Sequence, residues 1–400
     1  MFRKRTIVFL IVVTLTFAPI FLFPTPYRAQ VREKPDKKIG IIVKLARGQD
    51  IKPIIEKYSL QKISEIQSDE GNFLLVSAKN NNYEELIMTM PREIGVLSVE
   101  RNVILASPMS ALRQPQNFPG DEANVLGLDA TAYQSQPLIS FLQLSNVYSM
   151  CKGSGVKVAV IDTGIDPFHP VITGHIAAGG FDFVDFDSVP YDEPGGISYG
   201  HGTFIAGLIL LVAPEVRILP LRVLAPNGVG DAFGVAAAIF YAATQGAKVI
   251  NLSLGTDEKP TIVRAAISYA QSRGCVIVAA AGNSNSGHGN VFPANEACVL
   301  GIGATDFADK KAKFSNYGAA VDLTAPGVDL ISTYPGGFYA RWSGTSFSTP
   351  LVAGEAALLF SEYSNGEANV VEIMTKSSVK LNDNSLKGKG RISPLAALLN

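Results

Sequence analysis

Short apolar runs recur between residues 156 and 303, and they predict the strands of a buried sheet. They lie at 156–161, 218–223, 249–252, 276–280 and 300–303. The runs are nearly all apolar and lack the alternation of a strand with one face in water, which is typical of parallel strands buried on both sides. Helical spacing lies between them, as at 234–245 and 261–272. The alternation predicts an open, mostly parallel, twisted α/β sheet with helices on both faces.

A smaller unit is predicted ahead of this sheet. Helical spacing at 51–58 and 83–90 alternates with β-rich runs at 39–45, 63–66, 73–78 and 96–103. The order βαββαβ over residues 39–106 is typical of a ferredoxin-like α+β fold. Residues 107–137 carry several Pro, Gln, Asn and Asp residues without a sustained period. This composition predicts a linker between two folded units, where proteolysis can act.

Residues 1–29 are typical of an export segment. A basic start, Arg3 to Arg5, precedes a charge-free and almost wholly apolar run over 6–23. Such a pattern fits a cleaved signal peptide or a retained signal anchor, and the residues leave both alternatives open. We therefore expect a secreted protein, extracellular or periplasmic, or one anchored to a membrane through residues 6–23.

Composition narrows the classes of function. A formal net charge of −1 over 400 residues gives no basic surface for nucleic acid, and a hydrophobic content of 47% supports a large core. Cys151, Cys275 and Cys298 are too few and odd in number for a disulfide framework, and their spacing fits no metal site. Because Cys275 and Cys298 each open an apolar run, we expect both to be small buried side chains rather than a bridge.

Two polar residues stand where a predicted strand ends and a helix begins. Asp162 follows the run 156–161 directly, which places it at the carboxyl edge where open α/β sheets form their sites. His201 lies between Gly200 and Gly202, just before an apolar helical stretch. As a pair, Asp162 would accept the Nδ1 proton of His201, and His201 would act as general base and then general acid. Each residue alone also fits a plainer interpretation, as a turn aspartate or a surface histidine.

A serine with a third motif completes this constellation. Ser346 precedes the helical stretch 347–360, where a serine is commonly an N-cap. The same position lets its backbone N–H and the helix dipole stabilise an oxyanion. Asn283, at the end of an Ala-Ala-Ala-Gly-Asn run, is the expected second donor. The chain order Asp162, His201, Ser346 predicts a serine hydrolase that forms an acyl-enzyme.

With these motifs, the region from about Leu138 to the C terminus resembles the subtilisin-like serine proteases, the subtilases. The resemblance rests on Val-Ile-Asp-Thr-Gly-Ile-Asp at 160–166, His-Gly-Thr at 201–203, Asn-Leu-Ser-Leu-Gly at 251–255 and Gly-Thr-Ser at 344–346. It implies a catalytic domain over 138–400 that hydrolyses extended polypeptides. Residues 30–106 are similar, more loosely, to the family's inhibitory propeptide. A zymogen with a processing site within 107–137 is implied.

The resemblance also assigns oxyanion and substrate contacts. It implies that Asn283 is a donor in the oxyanion hole and that an extended peptide adds as a strand between two segments of the site. A further residue would line the base of the pocket for the side chain that precedes the scissile bond. The two segments are Ser253, Leu254, Gly255 and Gly228, Val229, Gly230, and the pocket residue is Val291.

The chain departs from the family at two places. Phe204 stands where a second histidine is usual, and we expect repacking there without loss of function. The stretch from Gly207 runs straight into Pro214, without the loop that binds calcium in many members. We therefore expect no cofactor and no metal at this place, and calcium binding elsewhere in the chain stays an open alternative. Two alternatives stay open, a catalytically silent binding protein on the same fold and a membrane-tethered processing protease.

Overall fold

A computed structural model gives the fold of the chain. It describes residues 40–68, 71–78, 82–108, 123–125, 128–287, 291–363, 369–383, 385–386 and 390–400. The export segment predicted over residues 1–29 lies outside these described residues. Within them, the structure contains no helix that combines the length and apolar character needed to cross a membrane.

The small unit has the predicted order of elements. Its strands pair in the spatial order β2-β3-β1-β4, and every pairing is antiparallel. The elements are β1 (Ile41–Leu45), α1 (Lys52–Tyr58), β2 (Leu60–Ser68), β3 (Gly71–Ala78), α2 (Tyr83–Thr89) and β4 (Val96–Arg101), followed by the short strand β5 (Ile104–Ala106). Because side chains alternate along a strand, Ile41 and Val43 pack with Ile54 and Leu86 of the two helices, whereas Ile42 faces the larger domain.

The larger domain contains a seven-stranded parallel sheet. Its spatial order is β13-β12-β11-β10-β6-β8-β7, and all of its pairings are parallel. The remaining strands are β6 (Lys157–Asp162), β7 (Phe181–Asp182), β8 (Arg217–Arg222), β9 (Val229–Asp231), β10 (Val249–Leu252), β11 (Val276–Ala280), β12 (Leu300–Thr305), β13 (Leu323–Pro326), β14 (Leu330–Tyr334) and β15 (Phe338–Trp342). Each of the five predicted runs is a strand of this sheet, which confirms the predicted α/β fold class.

Helices cover both faces of the sheet. They are α3 (Ala130–Gln134), α4 (Pro137–Phe141), α5 (Leu144–Met150), α6 (His201–Val212), α7 (Ala232–Thr244), α8 (Thr261–Ser272), α9 (Thr345–Glu362), α10 (Val370–Ser377) and α11 (Pro394–Leu398). Alternation along β6 places Val158 and Val160 in one core with α6 and α9, and Ala159 and Ile161 in a second core with α7 and α8. Every residue of α6 is buried, so this helix is fixed on all sides.

Part of the segment predicted to be a linker, 107–137, is folded onto the larger domain. Asn124 pairs with Arg341 of β15, and α3 begins at Ala130. The Asp129 carboxylate caps α3 by accepting the backbone N–H of Ala132 at 2.9 Å. A helix of five residues is too short to give a readable period, which explains why the pattern did not indicate it.

The cysteines are unbridged, as expected, but only one of the two strand-flanking thiols is buried. The Cys275 thiol donates to the Ala247 carbonyl at 3.1 Å, and burial raises its pKa to about 11. Cys298 is exposed, so the expectation that it is buried is wrong. It precedes the first residue of β12, Leu300, by two positions and still belongs to the surface loop.

Glu355 is a fully buried carboxyl group within the core. Glu355 lies in the middle of α9 and is 0% exposed. Its Oε1 accepts the backbone N–H of Ser393 at 3.2 Å, and no donor among the described residues reaches Oε2. Burial raises the pKa of Glu355 to about 8, because desolvation disfavours the charged form more than Arg391 favours it. The folded chain therefore holds a neutral Glu355 at neutral pH.

This proton makes a testable contribution to stability. The unfolded chain releases it near the ordinary pKa of 4.5, whereas the folded chain keeps it up to about 8. The contribution is therefore fully present below 4.5 and is lost as the pH rises through 8. Relative to Glu355→Gln, the parent chain should lose on the order of a few kcal/mol of unfolding free energy over this range. Urea titrations in a Ser346→Ala background, which prevents self-digestion, would measure the loss.

The exposed Glu362 at the end of the same helix provides a matched control. Glu362→Gln makes the same chemical change at an exposed side chain, so it should not reproduce the effect of Glu355→Gln on the unfolding free energy. Parallel stability curves for the parent and Glu355→Gln at every pH would contradict a neutral buried Glu355.

Candidate active site

Asp162 and His201 meet at the carboxyl edge of the sheet. Asp162 is the last residue of β6, and His201 is the first residue of α6. The Nδ1 atom of His201 lies 2.7 Å from Oδ1 of Asp162, and both side chains are fully buried. The backbone N–H of Thr163 donates to the same carboxylate oxygen at 2.8 Å. The carboxylate thus holds the imidazole by the nitrogen opposite Nε2.

Ser346 lies in the first turn of α9, and a side chain from the segment that follows β10 fixes this turn. Pro350 stands inside the helix and has no N–H, so the Ser346 carbonyl lacks its helical donor. The Ser253 hydroxyl donates to this carbonyl instead, at 2.9 Å. The Asn251 amide donates in turn to the Ser253 hydroxyl at 3.0 Å. Ser253, predicted only as a substrate contact, therefore also supports the start of the helix.

Aromatic packing brings the start of α9 beside the imidazole. The His201 ring centroid lies 5.4 Å from that of Phe347, the residue after Ser346, and 5.8 Å from that of Trp342. Phe204 packs behind them, 4.6 Å from the Phe347 ring centroid. Nε2 of His201 and Oγ of Ser346 are both buried, and neither has a hydrogen-bond partner among the described residues. Bonds of this kind are often long before substrate binds.

The Asn283 amide has a defined orientation. Its Oδ1 accepts the backbone N–H of Thr345 at 3.0 Å and the Thr345 hydroxyl at 2.8 Å. Since both contacts are donors, they select the carbonyl end of the amide, and Nδ2 is the end directed away from Thr345. The residue that follows Thr345 is Ser346, so a donor amide and the serine hydroxyl belong to the same corner of the site.

The two segments predicted to contact substrate flank a strand of the chain itself. β5 pairs antiparallel with β9, with Leu105 opposite Gly230 and Ala106 opposite Val229. On its other side, Ala106 exchanges two backbone hydrogen bonds with Gly255, at 3.0 and 2.9 Å. The N–H of Ser107 donates to the Gly228 carbonyl at 2.8 Å. Leu254, the residue before Gly255, is fully buried.

Val291 lies beside the backbone that leads to Asn283. It is 9% exposed, and its Cγ2 would stand 3.1 Å from a Cβ placed on Gly282. The backbone of the next residue, Phe292, pairs with Thr256, one residue beyond Gly255. The Val291 side chain is therefore directed toward the corner that holds Asn283.

Metal ligation has no assembled site in the described part of the chain. No group of three His, Cys, Asp or Glu side chains lies together there in a way that could hold an ion. Helix α6 runs without interruption to Val212, and β8 follows after four residues. The expected lack of a metal requirement stays a prediction.

Comparisons with known proteins give the family. Residues 153–390 match the model of the subtilase family. The chain is 39% identical over 268 residues to thermitase from Thermoactinomyces vulgaris, a match that covers 64% of this chain and 93% of that protein. It is 46% identical over 229 residues to a thermophilic serine proteinase from Bacillus sp. (strain AK1), covering 54% of this chain and 55% of that protein.

The solved structures agree with these relatives. The fold matches the crystal structure of a lanthipeptide protease with a TM-score of 0.62 and 26% identity, over 68% of this chain and 97% of that chain. A protease from Pseudoalteromonas arctica matches with a TM-score of 0.59 and 27% identity, over 64% of this chain and 93% of that one. The chain belongs to the subtilase family and is a subtilisin-type serine endopeptidase that acts on polypeptides.

Proposed function

We propose that the protein is an exported endopeptidase made as a zymogen, in which residues 30–106 inhibit the catalytic domain until they are cut away. Asp162, His201 and Ser346 form the triad. The observation that carries the proposal is the position of β5, which lies as an added strand between β9 and Gly255. A substrate strand would need the same backbone partners, because β-augmentation uses main-chain hydrogen bonds.

The residues divide the chemistry as follows. Ser346 attacks the scissile carbonyl while Nε2 of His201 takes the hydroxyl proton. Asp162 holds Nδ1 and stabilises the imidazolium that forms. Nδ2 of Asn283 and the backbone N–H of Ser346 donate to the oxyanion. His201 then protonates the leaving amine as the C–N bond breaks. In deacylation, His201 takes a proton from water while the water oxygen attacks the acyl carbon, and it returns that proton to Oγ of Ser346 as the ester bond breaks.

The register of β5 indicates which bond would reach the serine first. Ala106 lies opposite Gly255 in an antiparallel pair, so Pro108 falls opposite Ser253 if the pairing continues. The Ser253 hydroxyl contacts the Ser346 backbone. The bond between Pro108 and Met109 is therefore the proposed first cut. Since proline has no N–H to donate to the facing strand, we expect this cut to be slow.

Two polar side chains support docking of the inhibitory unit. The Glu100 carboxylate accepts the backbone N–H groups of Thr261 and Ile262 at 2.8 and 2.9 Å, at the start of α8. Oδ1 of Asn102 accepts the N–H of Phe233 at 3.0 Å, in the first turn of α7. Neither Pro260, the α8 N-cap, nor any residue in its first turn supplies such an acceptor, so Glu100 replaces a cap.

Maturation gives the most direct test of this proposal. The wild-type precursor should cut itself and lose the residues ahead of Met109. Ser346→Ala should keep them, because it lacks the hydroxyl that attacks the scissile carbonyl. Intact mass and N-terminal sequencing of both proteins, expressed with residues 1–29 present, would also show whether the export segment is removed. Equal processing of wild type and Ser346→Ala would rule out self-cleavage.

Specificity for the residue before the scissile bond should depend on Val291. Its branched side chain is stiff at χ1 and shortens the pocket without charging it. Wild type should prefer Leu, Met or Ala over Phe or Tyr at this position. Val291→Gly should raise kcat/KM for the aromatic peptides about tenfold or more, since a change of this size is worth roughly 1–3 kcal/mol. A peptide series that varies one residue measures this.

If the wild-type enzyme already prefers Phe or Tyr, and Val291→Gly does not raise kcat/KM for these peptides, then Val291 does not line the pocket. The Leu peptide serves as the internal control, because both enzymes should cleave it at similar rates.

Calcium dependence tests the inference from the missing loop. If no strong site exists, removal of calcium with a chelator should leave the thermal midpoint of Ser346→Ala nearly unchanged. Addition of excess calcium after dialysis is the matched control. A fall of many degrees that calcium restores would reveal a strong site elsewhere in the chain.

A further inference from the structure

Asp192, in the loop before α6, connects the end of β6 to the start of α6. Its Oδ1 accepts the Thr163 hydroxyl at 2.6 Å and the Gly200 N–H at 3.3 Å. Its Oδ2 accepts the Thr203 N–H at 2.9 Å and also the Thr203 hydroxyl. A single carboxylate thus collects four donors, from the strand end, the loop and the first turn of the helix.

This carboxylate supplies the cap that α6 lacks. The N-cap residue is Gly200, which has no side chain to accept a hydrogen bond. Asp192 accepts the Gly200 and Thr203 N–H groups in its place, and the Thr163 hydroxyl oxygen accepts the Gly202 N–H at 3.0 Å. A negative charge at a helix N terminus is stabilising. Since His201 is the first helical residue, the same contacts fix where its backbone lies.

Asp192 also sets the direction of two buried hydroxyl groups. Each hydroxyl donates its proton to Asp192 and accepts a backbone N–H, that of Gly202 for Thr163 and that of Asp166 for Thr203, at 3.0 and 2.9 Å. An ionised carboxylate only accepts, so it selects this one orientation for both hydroxyls. An amide in its place would present a donor to one of them and reverse that bond.

We propose that Asp192 is a positioning residue for the catalytic pair, holding the backbones that carry Asp162 and His201 at the separation their hydrogen bond requires. The link to Asp162 is Thr163, whose N–H donates to the Asp162 carboxylate while its hydroxyl donates to Asp192. The link to His201 is the start of α6. The proposal rests on the catalytic roles given above.

The charge state of Asp192 adds a pH-dependent signature. Desolvation, with a smaller contribution from Asp162, raises the pKa of Asp192 to about 6. Among the described residues, the phenols of Tyr199 and Tyr334 also face it, and they stay neutral in this range because burial raises the pKa of both. Below pH 6, Asp192 takes up a proton and becomes a donor, so it can no longer accept both hydroxyls. As the pH falls, the wild-type rate should therefore decrease more steeply than protonation of one group, the general base His201, would produce.

Three substitutions test the proposal. Asp192→Asn keeps the shape and removes the acceptor-only character, Thr163→Val removes the linking hydroxyl, and Thr163→Ser retains it. Asp192→Asn and Thr163→Val should lower kcat about 10- to 100-fold with KM within about threefold of wild type, because small misplacements of reacting groups are costly. Thr163→Ser should stay close to wild type. Asp187→Asn, an exposed position in the same loop, is the matched control.

Rates are normalised to sites titrated with a phosphonate, and circular dichroism establishes folding first. The Asp192→Asn, Thr163→Val double variant should lose little more than either single variant, since both break one network. In Asp192→Asn, the acid side of the pH–rate profile should become less steep and fit the protonation of a single group. If Asp192→Asn does not fold, Thr163→Val against Thr163→Ser decides the proposal.

Wild-type kcat and an unchanged acid limb in Asp192→Asn would overturn the proposal, as would a loss confined to KM or equal losses in Thr163→Val and Thr163→Ser. Failure of the proposed function gives a different result, because wild type would then be inactive or Ser346→Ala would retain activity.

Discussion

The site depends on one buried contact, the hydrogen bond between the Asp162 carboxylate and Nδ1 of His201. A carboxylate removed from water costs several kcal/mol unless it is paired and hydrogen-bonded. Here it is paired across two elements, the end of β6 and the start of α6. The helix is buried on all sides, which leaves it little freedom to shift. The geometry of the pair therefore follows from how the strand and the helix pack, and it persists before substrate binds.

The rest of the site is arranged as a sheet with a missing strand. β9 and Gly255 present backbone donors and acceptors to the space between them, and β5 fills that space. Main-chain hydrogen bonds do not depend on sequence, so this arrangement selects extended segments as a class and leaves selection among them to pockets such as the one beside Val291. In the proposed precursor, the same feature that binds substrate makes the chain its own first inhibitor.

The sequence predicted what adjacent residues determine. Continuous apolar runs gave the buried strands, and Asp162 could be placed at the sheet edge because it directly follows one of them. Contacts between distant positions left no local signal. Glu100 caps a helix that begins more than 150 residues later, and Asp192 caps α6 from eight positions before Gly200. For Asp192, one local feature could have indicated a distant cap, because the N-cap residue Gly200 has no side chain to accept a hydrogen bond. The prediction that Cys298 is buried was wrong because the apolar run begins at Cys298, whereas β12 begins two residues later, at Leu300.

The proposed catalysis requires that Ser346 is a nucleophile activated by His201. A fluorophosphonate reacts preferentially with an activated serine, and peptide mapping by mass spectrometry locates the adduct. We expect a single adduct on Ser346 of the matured chain, none in Ser346→Ala, and strongly reduced labelling in His201→Ala with the fold intact. An adduct on another residue, or undiminished labelling of Ser346 without His201, would contradict it.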